Sequence, residues 1–200
     1  MMRRGLLGTG LAGLLAAGCS VLPAAPYPQR RDWPILAPRP NPLPPRAGGP
    51  VLMVRSVTPA PGLDRRGLQV MQPDGSMRVD FYEQWAVAPA EGVEAALRDW
   101  LAGSGLYSAV IAPGSRLSAG LVLEAELQQF WADPGANVAR VMLAVVLLDS
   151  RPGATKVRLQ RTLAATAPLA GTTPPDVAQA VLAALAETLK ETEQALAGLR

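Results

Sequence analysis

The chain has no histidine. That closes imidazole chemistry: neither a Ser-His-Asp nor a Cys-His arrangement can form, and no metal site can draw on His. Lysine is reduced to Lys156 and Lys190, so arginine carries nearly all of the positive charge. Phosphate-cradling glycine patterns are missing as well. Gly103-Ser104-Gly105 lacks a third glycine and follows a predicted helix, so it reads as a cap and turn. Asp64, Asp74 and Asp80 are scattered around turns without the spacing of a calcium loop. Glu124 and Glu126 share one strand face and read as solvated side chains rather than as the carboxylate pair of a glycosidase. No enzyme and no cofactor are expected. The formal net charge of +3 includes Arg3 and Arg4; without them 17 basic side chains stand against 16 acidic ones. A nearly neutral chain without a cluster of Lys and Arg has no footprint for nucleic acid.

What is present starts at the N-terminus. Arg3 and Arg4 precede an apolar run from Gly5 to Gly18, fourteen residues long. This is the layout of a secretory signal, and the run is too short to span a hydrocarbon core of about 30 Å as a helix. It ends in Leu15-Ala16-Ala17-Gly18-Cys19-Ser20, which looks like a bacterial lipobox with Ala16 where Leu is usual. Residues 1–18 are therefore expected to be a lipoprotein signal peptide. Cys19, the only cysteine, is expected to be acylated, leaving no thiol for a disulfide or for redox work.

Ten of the twenty prolines lie between Ser20 and Pro50. Proline fixes φ and removes donors, so residues 19–50 read as an extended polyproline tether at about 3.1 Å per residue. Trp33 and Ile35 are the residues in it that could dock back as a short edge strand.

Residues 51–200 read as a single α+β domain. Val51 to Val57, Gly67 to Gln72 and Met77 to Trp85 are predicted strands, the last two joined by a Pro73-Asp74-Gly75-Ser76 turn. Val93, Ala96, Leu97, Trp100 and Leu101 form the apolar stripe of a helix that opens at Pro89 and stops at Gly103. Leu106 to Ile111 is a short strand. Leu121 to Trp131 alternates, with Leu121, Leu123, Ala125, Leu127 and Trp131 on one side. Val138 to Leu148 is apolar almost throughout, which suits a central strand covered on both faces. Thr155 to Ala167 follows, in a meander of antiparallel strands. Thr172-Thr173-Pro174-Pro175-Asp176 starts a last helix that reaches about Leu196. The expected architecture is a mostly antiparallel sheet covered on one face by two helices, one mid-chain and one C-terminal.

One stretch carries a resemblance. Asp80-Phe81-Tyr82-Glu83-Gln84-Trp85-Ala86-Val87-Ala88-Pro89, the helix to Leu101, and Gly105-Leu106-Tyr107-Ser108-Ala109-Val110 resemble the ABC-type transport auxiliary lipoprotein family. These are outer-membrane lipoproteins of MCE-type lipid transport systems such as the paraquat-inducible (Pqi) system. Trp85, Ala86, Pro89, Gly105, Tyr107 and Val110 match the family pattern, and Gln84 stands where Arg is usual. The resemblance implies an outer-membrane lipoprotein that faces the periplasm, held by lipid on Cys19, with an MCE-domain protein and an ABC permease and ATPase as partners. Ser20 after the cysteine permits export to the outer membrane. Trp85 and Tyr107 are the candidate partner contacts, with Trp85 also readable as a core aromatic, and a homo-oligomer is left open. A stand-alone lipid-binding or envelope-assembly lipoprotein is the alternative.

Overall fold

A computed structural model of the chain describes residues 27–151 and 156–199. Cys19 and the whole signal region lie outside the described residues. Eleven elements follow in the order β1 (Arg31–Trp33), β2 (Val51–Val54), β3 (Thr58–Pro59), β4 (Gly67–Met71), β5 (Met77–Trp85), α1 (Pro89–Ala102), β6 (Ala109–Ile111), β7 (Leu121–Asp133), β8 (Val138–Asp149), β9 (Lys156–Pro168) and α2 (Pro174–Ala197). All nine strands belong to one sheet, and the fold is α+β with both helices on the sheet.

The organising strand is β7. On one side it pairs along its length with β8, which pairs in turn with β9, both antiparallel. On the other side three short strands succeed one another against it, β2, β3 and β4, all parallel to it. β6 lies outside β2, and β5 then β1 lie outside β4. The expected meander therefore holds for β7 to β9 and for the β4–β5 hairpin, whereas the remaining pairings are parallel.

Two expectations about faces are corrected. β7 carries a bulge between Leu127 and Gln129. An extra residue reverses the alternation, so Leu123, Ala125 and Leu127 point to the core in the first half and Phe130 and Ala132 in the second. Trp131 is turned to the other face. β8 is covered on one face, not two: Ala139, Val141, Leu143, Val145 and Leu147 are buried while the residues between them are half-exposed. Its unbroken apolarity thus reflects one packed face and one uncovered face.

Both helices cover the packed face. In α1, Val93, Leu97 and Leu101 are fully buried, each contributing about 1.5–3 kcal/mol by removal from water. Pro89 sits in its first turn, where the missing N–H costs nothing. In α2, the Asp176 carboxylate accepts the Thr173 N–H at 3.2 Å and the Thr173 hydroxyl, closing the N-terminus. Thr188 and Thr192 face the core, and their hydroxyls donate to the carbonyls one turn back, at 2.9 and 2.8 Å.

The proline-rich segment is not free up to Pro50. Residues 31–50 form a strap laid on the domain. β1 adds to β5 in parallel, as the docking of Trp33 anticipated, and the Trp33 indole donates to Glu83 at 2.8 Å. Ile35 and Ala37 are buried. A Cβ on Gly92 of α1 would lie 2.6 Å from Ile35 Cδ1, so the glycine is what admits the strap. Farther on, Arg39 grips Glu193 of α2 through Nε and Nη2 at 3.0 and 3.1 Å, and Trp100 Nε1 donates to the same carboxylate at 2.8 Å. The Leu43 N–H donates to Gly103 and the Arg46 N–H to Tyr107. Prolines remove donors, but those of Leu43 and Arg46 are used to tie the strap to the domain.

Candidate functional site

The strap, the start of β7, the end of β8 and the C-terminal end of α2 enclose a pocket of about 390 Å³. That is within the size range of small-molecule sites. Its apolar floor comes from Leu106, Leu121, Leu147 and Leu196, and its mouth carries Arg46, Asp149, Arg151 and Arg158. Asp149 is the last residue of β8 and closes the inward-facing series, so its carboxylate is nearly buried at the rim. Arg151 holds it through Nε at 2.8 Å and Nη2 at 2.5 Å, and Arg158 approaches to 3.5 Å. The Arg151 hydrogen bond, against the cost of burial, holds the Asp149 carboxyl at about 2. No hydrogen bond or ion pair holds the Arg46 guanidinium among the described residues. Three guanidiniums around one carboxylate leave the mouth net positive above an apolar floor. Such an arrangement suits a molecule with an apolar tail and an anionic head.

Tyr107 contributes to the wall of this pocket and is buried, and its carbonyl accepts the strap at Arg46. Trp85 does not join it. The two residues flank opposite ends of α1, whose 14 residues span about 21 Å. Trp85 is 1% exposed and packs on Phe130 with ring centroids 5.1 Å apart. That burial fits the core-aromatic reading of Trp85. Its backbone carbonyl is held by Arg66 Nε at 2.8 Å, and Arg66 also reaches Asp32 of β1 at 3.0 Å. The neighbouring Gln84 turns back onto the Phe81 carbonyl instead.

The Asp149 cluster escaped the reading of the sequence. Its signal is an acid at the end of an apolar strand, with one arginine two residues on and a second at position 158. Among the described residues no group of three or more His, Cys, Asp and Glu could hold a metal ion, and no helix is long and apolar enough to cross a membrane.

Two helices on one face of a mixed nine-stranded sheet, with an N-terminal strap across both, define the class of domain. A crystal structure of a protein from Xanthomonas campestris has a similar fold, with a TM-score of 0.71 at 23% identity, over 84% of this chain and 95% of that one. An uncharacterized protein of known structure follows with a TM-score of 0.65 at 12% identity, over 84% of this chain and 99% of that one. A hypothetical protein from Chlamydia trachomatis gives 0.52 at 13% identity, over 75% of this chain and 99% of that one. At such identities the likeness shows the fold. No curated protein matches the sequence. The chain belongs to the family of ABC-type transport auxiliary lipoprotein components, which it matches over residues 35–192. That span takes in most of the strap, all of α1 and most of α2, so most of the strap falls within what the family describes.

Proposed function

We propose that this protein is a non-enzymatic outer-membrane lipoprotein subunit of an MCE-type ABC lipid transport system, docking the periplasmic lipid-shuttling component to the outer membrane. The match to the transport auxiliary family over residues 35–192 carries this reading. Cys19 in its lipobox-like setting supports the anchor, and Ser20 supports the outer membrane. With the strap docked from Arg31 onward, the stretch between Cys19 and the domain (its leash) is short. From Cys19 to Arg30 is eleven residues, at most about 40 Å fully extended. The domain therefore works close beneath its membrane rather than on a long tether. Purification of the tagged full-length protein from solubilised envelopes tests the proposal. MCE-domain and permease subunits are expected in the eluate, and a clean preparation with neither overturns it.

The pocket favours a second reading, a lipoprotein that itself carries lipid. Its apolar floor and arginine mouth fit one chain and the anionic head of a phospholipid or fatty acid. Native mass spectrometry of the purified protein should then show a bound lipid that Arg158→Glu loses. Wild-type protein free of lipid removes this reading and leaves docking.

A further inference from the structure

The chain enters the domain at an edge that is built to show two aromatic rings. Between the pairs Gly67↔Gln84 and Gln69↔Val79, one residue of β4 faces four of β5, so residues 80–83 bow outward. The bow is held from inside. Asp80 Oδ1 accepts the N–H groups of Tyr82 and Glu83, each at 2.9 Å. A Cβ on Gly67 would meet the Asp80 carbonyl at 2.1 Å, so only glycine permits the approach. At its tip Phe81 is 65% and Tyr82 43% exposed, edge to face at 5.1 Å. Arg30 lies over the Phe81 ring at 5.2 Å, and Tyr27, 91% exposed, comes just before it on the leash.

We infer that this bow is a membrane-contact surface, which seats Phe81 and Tyr82 in the headgroup region of the phospholipid membrane holding the anchor. The inference rests on the proposed lipidation of Cys19. Three observations favour a membrane over a protein as the occupant. First, the leash ends here: Arg30 stacks on Phe81, so this edge cannot lie farther than about 40 Å from the acylated cysteine. Second, the patch is two rings and an arginine, far short of the roughly 800 Å² per partner that a specific protein interface buries. Third, an aromatic ring carrying a polar tip beside a guanidinium is the side-chain chemistry that settles at headgroup depth. The acyl chains supply the affinity, and tethering makes the second contact intramolecular. Two aromatics then suffice to orient the domain with β1 and β5 towards the bilayer and the pocket elsewhere.

The test uses full-length acylated protein in vesicles of phosphatidylethanolamine and phosphatidylglycerol, with Tyr82→p-benzoylphenylalanine as a photo-crosslinking probe. A second protein carries the same probe at Val157, which is exposed on β9, five strand spacings or about 24 Å from β1. Co-sedimentation with vesicles reports the anchor, and the mass of the photo-adduct reports the surface. The expected result is a phospholipid adduct at position 82 and none at 157. Protein that sediments but gives no lipid adduct at 82, or equal adducts at both positions, overturns the contact surface and leaves the anchor standing. Probing intact envelopes and finding a protein adduct at 82 instead assigns the bow to a partner. Protein that fails to sediment overturns the anchor and this inference with it.

Discussion

Replacing Gly92 with alanine reports on whether the strap is seated. In an exposed helix interior, Gly→Ala gains about 0.8–1.0 kcal/mol of helix propensity. Here the new Cβ would lie 2.6 Å from Ile35 Cδ1 and 2.8 Å from Ile35 Cβ. The Cδ1 can swing aside, but the Cβ is fixed to the strap backbone, so the strap itself must move. Overpacking of this kind costs about 1–3 kcal/mol, which exceeds the propensity gain, and Gly92→Ala should destabilise by up to about 2 kcal/mol. Ile35→Gly removes all three atoms that clash. In that weakened background the same Gly92→Ala change should instead stabilise, by about 1 kcal/mol. The sign reversal is the signature, and urea unfolding midpoints of the four proteins, soluble in a Cys19→Ser background, would show it at constant m-value. If Gly92→Ala stabilises the chain that retains Ile35, the strap does not lie on α1, and the short leash falls with it.

Arg39→Ala leaves Glu193 with only the Trp100 indole of its three hydrogen bonds and should cost about 1–3 kcal/mol, whereas Arg39→Lys, keeping one charged donor, should cost less; thermal denaturation compares them. Trp85→Ala empties the centre of the core against Phe130 and should cost about 3–5 kcal/mol by chemical unfolding, so loss of partner binding in that variant must track loss of fold. Asp149 is held at about 2, below its ordinary 3.8. The unfolded chain therefore takes up its proton first, and the carboxylate's contribution, complete above about pH 4, is lost as pH falls towards 2. Unfolding curves across that window should show wild type losing stability relative to Asp149→Asn, and parallel curves would refute the pairing with Arg151.

Helices and the long strands were legible because their periods are regular and their stops are explicit. The stripe from Val93 to Leu101 and the Thr173–Asp176 cap need no tertiary information. Pairing partners were less so: β2, β3 and β4 are too short to signal that they run parallel to β7, since parallel order is set by where α1 and the loops carry the chain. The side of Trp131 depended on a single inserted residue, which alternation alone cannot locate. Trp33 and Ile35 hinted at docking, but prolines around them masked a strap whose partners, Glu83, Gly92 and Glu193, lie 50 or more positions away. The arginine-ringed pocket was illegible for the same reason, as Arg46, Asp149 and Arg158 meet only through the fold. Phe81 and Tyr82 lay inside the recognised motif, yet only the bow in β5 shows that they, and not Trp85, face outward.

Everything proposed about where the domain sits hangs on the lipid at Cys19, and fractionation of cells expressing wild type and Cys19→Ser tests it directly. Wild-type protein should sediment with the outer membrane and the variant should appear in the soluble periplasm, still folded. A Cys19→Ser protein that stays with the membrane would contradict the anchor.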